Sequence, residues 1–240
     1  MHVVLAARRE DRLKQVAEEA TTHGVKALPI VCDVQKDADV NHAVEQTVEQ
    51  FGRLDAVFAN AGYGIFNAIL DTPDEQVRDI YETNFFGTLR TIRAAIPHLK
   101  ERGGHVLICT SACSEISLPM YGFYASTKSA QDGMAGALRA ELHGTGIDVS
   151  TVHPIGTRTE FFEVAARIAG KPDVGLNTPS NLMHSAEYVG RCVVRCLRRP
   201  RPEVWPSVGV RFGVALTTAI PFLADWSLRR IVARRYKNSS

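Results

Sequence analysis

The chain has 240 residues, 45% apolar and 22% charged, which is enough for one well-filled domain and too few for two comfortable ones. Those proportions exclude a disordered chain, a collagen-like fibre and a disulfide-stapled miniprotein. The net charge of +2 gives no whole-chain pull toward nucleic acid or membranes.

From the start, His2-Val3-Val4-Leu5-Ala6-Ala7 reads as a buried strand. No basic flank or long apolar stretch marks it as a signal peptide. The spacing of Leu13, Val16, Ala17 and Ala20 predicts a helix over Arg9–His23, with Gly24 at a C-cap site. Ala27–Val31 is the next strand, Asp37–Phe51 the next helix and Leu54–Ala59 a third strand. A long helical pattern then runs from Pro73 to Leu99 and stops at Gly103-Gly104. Strand His105–Thr110, helix Tyr124–His143 and strand Ile147–His153 follow. Beyond Thr157 the regularity fades. A short helix is expected over Arg158–Ala169, a longer one over Ser185–Arg198 and a short strand over Glu203–Trp205. Residues 208–236 form a last helical region, broken near Pro221.

The strands are continuous apolar runs, as in a parallel sheet covered by helices on both faces. Repeated βα units of this length predict an α/β, Rossmann-like, doubly wound fold in a single domain, with ligands beyond the carboxyl ends of the strands. The domain is expected over 1–206, with a substrate-pocket segment at 158–183 and a helical extension at 207–240. The five cysteines, an odd number spread along the chain, are expected to be free thiols. Cys192 and Cys196 can share a helix face, but two thiols alone are a poor metal site, and no metal is expected.

No run of about 18 apolar residues predicts a membrane span. Phe212–Ala224 is apolar but short and contains Pro221. Next to it, residues 225–240 hold Arg229, Arg230, Arg234, Arg235 and Lys237 against one acid, Asp225. This stretch can lie on a membrane surface, cover the core, form part of a pocket or pack in an oligomer; the packing roles are favoured.

Tyr124-Ala-Ser-Thr-Lys128 places a phenol and an ammonium four residues apart on one helical face. Such a pair alone is usually a surface accident. Ser111 changes the weighting, because it lies at the carboxyl end of strand Val106-Leu107-Ile108. Asn84 sits inside a helical pattern, where an amide is a mediocre helix former and needs a reason. Asn60-Ala61-Gly62 ends the strand that begins at Leu54. All these polar groups map to one edge of the inferred sheet.

With these pieces the sequence resembles the short-chain dehydrogenase/reductase family. The matching parts are Asn60-Ala61-Gly62, Asn84-Phe-Phe-Gly87, Ser111 thirteen positions before Tyr124, the Tyr124/Lys128 pair and His153-Pro154-Ile155-Gly156-Thr157. The match runs over roughly residues 3–160. It implies a seven-stranded parallel sheet that binds NAD(H) or NADP(H). Tyr124 would be the acid/base, Lys128 would hold the nicotinamide ribose, and Ser111 would hold the substrate oxygen. Asn84 would support a water linked to Lys128. A phenol near pKa 10 is a poor base at neutral pH, so a neighbouring ammonium together with an oxidised nicotinamide is expected to favour the phenolate. Tyr121 is a rival phenol, but four residues on it meets Ala125 rather than lysine.

Arg8 and Arg9 directly follow the first strand. The resemblance places the adenosine ribose there, and positive charge suits a 2′-phosphate, hence NADP rather than NAD. Asp33 and Val34 resemble the segment that contacts adenine, and Asn60, Ala61 and Gly62 would let backbone approach the dinucleotide. Thr157 would meet the carboxamide end, although Ile155 replaces the more usual glycine after proline.

The family's T-G-x-x-x-G-x-G loop, which gives backbone N–H groups to a pyrophosphate, should precede His2 and does not occur in these 240 residues. The sheet is in that sense N-terminally truncated, which predicts uncovered strand edges. The favoured expectation is a start about 25–35 residues upstream, the size of one strand–loop–helix unit. The alternative is a genuinely short chain that is unstable, dependent on a partner or catalytically silent.

The expected function is hydride transfer between NADP(H) and a small-molecule alcohol or carbonyl, with a hydrophobic substrate suggested by Phe161, Phe162 and the apolar tail. The rival readings are the same chemistry with NAD(H), and a non-catalytic scaffold. A cytoplasmic protein is expected, with a homo-oligomer or peripheral membrane association through the C-terminal segment both compatible. No basic stripe interleaved with aromatics supports nucleic-acid binding.

Overall fold

A computed structural model of the chain describes residues 1–116, 118–170, 183–220, 222, 225–226 and 228–230. Strands β1 (Val3–Ala7) and β2 (Ala27–Val31) pair in parallel, from Val3 opposite Ala27 to Ala7 opposite Val31. A second parallel sheet has the order β3 (Ala56–Ala59), β4 (Gly104–Cys109), β5 (Ile147–Val152), β8 (Glu203–Val204). Two short strands, β6 (Thr157–Arg158) and β7 (His184–Ser185), pair with each other. Helices α1 (Glu10–Thr22), α2 (Asp37–Phe51), α3 (Asp74–Tyr81) and α4 (Gly87–Lys100) alternate with the early strands. They are followed by α5 (Gly122–Glu141), α6 (Phe161–Ala169), α7 (Ala186–Arg198) and α8 (Val208–Ala219).

The continuous apolar strands have the expected cause. Val106 and Ile108 of β4 face Ile92, Ala95 and Leu99 of α4 and Ala135 of α5. Leu107 points the other way, with Val152, onto Cys192, Val193 and Cys196 of α7. Side chains alternate across a strand, so a sheet covered on both faces must be apolar at every position. The β1–β2 pair is joined to the rest by a separate cluster, in which Ile30, Cys32, Val40 and Ala43 meet Val4, Val34 and Ala94.

One feature departs from the reading by periodicity. The predicted helix Pro73–Leu99 is interrupted by a π-helical turn, Glu82–Phe86, between α3 and α4. The uncovered strand edges expected from the sequence are present: among the described residues no strand pairs with the outer edges of β1 and β3, and β1–β2 stays separate from the β3–β4–β5–β8 sheet. Phe58 of β3 and Val31 of β2 are exposed. No described helix is long and apolar enough to cross a membrane. All five cysteines are free.

Two imidazoles are buried in the strands' polar seam. His105 accepts or donates at 2.7 Å to Ser150 Oγ, and His153 stacks on Trp205 with ring centroids 4.3 Å apart. Burial is the largest influence on each and pushes both below the ordinary histidine range, against the opposing carboxylates of Asp148 and Asp132 respectively. The unfolded chain therefore takes up protons near pH 6.5 while the folded chain does not. Their contribution is present above that pH and is lost as pH falls. The unfolding midpoint should drop between about pH 7.5 and about pH 5.5, and His105→Asn should flatten that slope. An unchanged slope in thermal melts of the variant would remove His105 from this account.

Candidate active site

The site grows from three chain segments that leave the carboxyl ends of β3 and β4 and enter α5. Beyond β3 the chain runs through Asn60-Ala61-Gly62-Tyr63. Asn84, at the centre of the π turn, holds that segment: its Oδ1 accepts from Tyr63 N–H, and its Nδ2 donates to the Tyr63 carbonyl and to Thr127 Oγ1, each at 3.0 Å. The Asn84 carbonyl accepts from Thr88 Oγ1 and Gln131 Nε2, both at 2.7 Å. An asparagine is thus tolerated inside a helix because its amide is fully engaged by other elements. π turns often lie at functional positions for this reason, since the extra residue re-aims a side chain.

Ser111 follows β4 and caps a short turn, Ala112–Ser114, by accepting from Cys113 N–H at 3.1 Å. Its hydroxyl is also hydrogen-bonded to the Tyr124 phenol. Tyr124 lies in the first turn of α5, and Lys128 lies one turn later on the same face. Lys128 Nζ donates to the Cys109 carbonyl at 2.8 Å and stands 5.8 Å from the Tyr124 ring centroid. Ser111, Tyr124, Lys128 and Asn84 are all buried. Gly62 fits between them because it lacks a Cβ: one placed there would lie 3.0 Å from Asn84 Oδ1 and 3.4 Å from Lys128 Nζ.

Burial opposes the phenolate in the protein's own electrostatics. Burial, the largest influence on Tyr124, raises its pKa far above the ordinary phenol range, with the Ser111 hydrogen bond a smaller opposing effect. Lys128 is itself pushed down by burial. Desolvation of the phenolate outweighs the help of an ammonium whose nearest partner is a backbone carbonyl. Burial thus favours the neutral phenol over the phenolate.

An aromatic cage surrounds this wall. The Phe161 ring at the start of α6 lies 5.4 Å from that of Tyr124, and Phe66 meets Tyr124 edge-on at 6.5 Å. Phe66 is fully buried and packs on Tyr121 at 4.2 Å. Gly64 makes room for both phenylalanines, since a Cβ there would come within 2.8 Å of Phe161.

The remaining sequence-derived residues have partners of their own. Arg9 pairs with Glu160 at 2.7 Å, and Arg12 reaches the same carboxylate at 3.1 Å. Arg8 lies near the Tyr63 phenol, which is hydrogen-bonded to Asp79. Asp33 accepts from Gln35 N–H in a local turn, while Val34 packs against Gly87. Thr157 pairs with His184 across β6 and β7. Residues 171–182 of the expected pocket segment, and Arg234, Arg235 and Lys237, lie outside the described residues. The sequence reading passed over Gln131, Thr127 and Phe66. Gln131 had a visible signal: it is three residues after Lys128 and seven after Tyr124, on the helix face already marked as functional.

Known proteins resemble this chain in sequence and fold. The sequence model described as short chain dehydrogenase matches residues 1–167. Dehydrogenase/reductase SDR family member 7B of Xenopus laevis is 30% identical over 212 residues, which is 85% of this chain and 65% of that protein. A Mycobacterium tuberculosis protein named as an NAD-dependent oxidoreductase is 34% identical over 158 residues, 65% of this chain and 58% of its own length. The chain thus spans less than two thirds of these relatives. An alcohol dehydrogenase of the archaeon Thermococcus sibiricus, solved with 5-hydroxy-NADP, superposes with a TM-score of 0.73 at 28% identity, covering 85% of this chain and 84% of that one.

Proposed function

The chain belongs to the short-chain dehydrogenase/reductase family, and we propose that it transfers a hydride reversibly between NADP(H) and an apolar alcohol/carbonyl pair. One observation carries the reading: a buried Tyr124 hydrogen-bonded to Ser111, with Lys128 one helical turn away. The residues fit the nicotinamide end of such a cofactor. Gly62 leaves backbone open beside Asn84 and Lys128, and Asn60 and Ala61 precede it on the same segment. A bound nicotinamide would supply the hydride.

The protein's own part is orientation and proton delivery. Ser111 Oγ holds the substrate oxygen, and Tyr124 donates its proton to that oxygen during reduction or takes it back during oxidation. Lys128 stabilises the phenolate left after donation, which matters most in a buried site. Asn84 keeps the 60–63 segment against α5, a positioning role. Phe66, Phe161 and Tyr121 favour a hydrophobic substrate by excluding water from the phenol.

NADP(H) is preferred over NAD(H) because Arg8 and Arg9 follow β1. Titration of the folded protein should show saturable NADPH binding, tighter than NADH, and NADPH consumption that depends on an added apolar ketone or aldehyde. Joint replacement of Arg8 and Arg9 by alanine should weaken NADPH roughly 10-fold or more, the loss expected for charge-assisted contacts, and spare NADH. Folded protein that binds neither dinucleotide would overturn the proposal. The NAD(H) reading draws support from the Arg9–Glu160 pair, which occupies one of the two arginines, and from the name of the M. tuberculosis relative. Under it the double substitution leaves the NADPH/NADH ratio unchanged.

A further inference from the structure

Helix α8 presents an apolar face that the proposed chemistry does not use. Val208, Phe212 and Leu216 recur every four residues and so share one side, with Ile220 just beyond the helix end. All four are exposed, Phe212 to 73%, while Val214 is the buried residue of the helix. Phe222 and Trp226, which follow in the chain, are also exposed, at 74% and 48%. Contiguous large apolar side chains on a surface usually mark an interaction site.

We propose that this face docks on an anionic lipid surface, with α8 lying in the plane of the interface and Trp226 at headgroup depth. Charge complementarity selects this occupant. From Val208 to Ser240 the sequence holds Arg211, Arg229, Arg230, Arg234, Arg235 and Lys237 against one acid, Asp225. Arg229 and Arg230 are exposed, and the Arg230 guanidinium lies 3.8 Å above the Trp226 ring. An aromatic ring under a guanidinium beside an apolar face is the arrangement that suits a headgroup layer. A second copy docked through the same face would bring like charges together, because a two-fold contact is self-complementary. Phosphate headgroups neutralise them instead. Twelve residues of helix are about 18 Å long, too short to span a bilayer but sufficient to lie on one. The helix packs on the Ala112–Ser114 turn beside Ser111, so docking would bring the aromatic cage close to a store of apolar substrates. The docking itself rests on the surface alone, not on the reaction.

The test is co-sedimentation of the full chain with vesicles of phosphatidylcholine, with and without roughly one third phosphatidylserine, the kind of anionic surface that attracts basic segments. Strong binding to the anionic vesicles is expected, about 10-fold or more weaker for neutral vesicles and at high salt. Phe212→Asp with Leu216→Asp should cost a similar factor, and circular dichroism should be unchanged because both side chains are exposed. Arg229→Glu with Arg230→Glu should lose anionic binding by charge alone. Absence of vesicle binding, or equal binding to neutral and anionic vesicles, overturns the proposal. So does sedimentation velocity showing a dimer that Phe212→Asp converts to monomer, which would assign the face to a second copy.

Discussion

Tyr124→Phe should lower the rate of carbonyl reduction by roughly 10²–10⁴, the range spanned by loss of a positioned general acid, while NADPH affinity changes little. The expectation follows from what the substitution removes. Phenylalanine keeps the ring that packs against Phe161 and Phe66, so the aromatic cage and the first turn of α5 stay filled. It deletes only the hydroxyl bonded to Ser111. Ser111 Oγ retains the hydrogen bond it accepts from the Cys113 N–H and loses only its bond to the phenol. Tyr121→Phe is the matched control: it also deletes a phenol oxygen in the same cage, but one that is not one helical turn from a lysine. Single-turnover measurements of NADPH oxidation separate the chemical step from binding. Substantial turnover in Tyr124→Phe, or an equal loss in Tyr121→Phe, would falsify the role given to Tyr124.

Those two tyrosines also mark how far a sequence can be read. The strands, the helices and their order are legible because a parallel sheet covered on both faces forces continuous apolar runs, and β2 and α2 fall on the residues expected for them. The proposed catalytic wall is legible because Ser111 ends one strand while Tyr124 and Lys128 share a helical face, both local properties. The π turn is not. One extra residue at Glu82–Phe86 leaves the apolar stripe on either side intact, so the pattern reads as one helix from Pro73 to Leu99. The Arg9–Glu160 pair joins residues 151 positions apart, and nothing in either neighbourhood announces the other. The direction of the Tyr124 shift in the protein alone is hidden for a related reason. The ammonium is visible in the sequence, whereas the desolvation that outweighs it belongs to the packed interior.

Asn84→Ala tests that interior directly, and it needs no substrate. The alanine removes three hydrogen bonds at once, leaving the Tyr63 N–H, the Tyr63 carbonyl and the Thr127 hydroxyl short of a partner where water has poor access. Each stranded buried group costs about 1–3 kcal/mol. Thr127 keeps its bond to the Tyr124 carbonyl at 2.8 Å, so the Tyr63 groups dominate, and a total loss of about 2–5 kcal/mol is expected. The better helix propensity of alanine offsets only about 0.5 kcal/mol. For a domain of this size the unfolding midpoint should fall by roughly 5–15 °C. Hydrogen exchange should rise first at Tyr63 and its neighbours in the 60–63 segment. Asn84→Asp separates hydrogen bonding from volume, because the carboxylate keeps the acceptor for Tyr63 N–H but, when ionised, has no donor for the Tyr63 carbonyl. Burial should raise that carboxyl's pKa, so the variant's stability is highest while the group is protonated and falls as pH rises through its titration. A variant Asn84→Ala that melts like the parent, with unaltered exchange at Tyr63, would mean that the 60–63 segment holds its place without the π turn, and Asn84 would then have no positioning role.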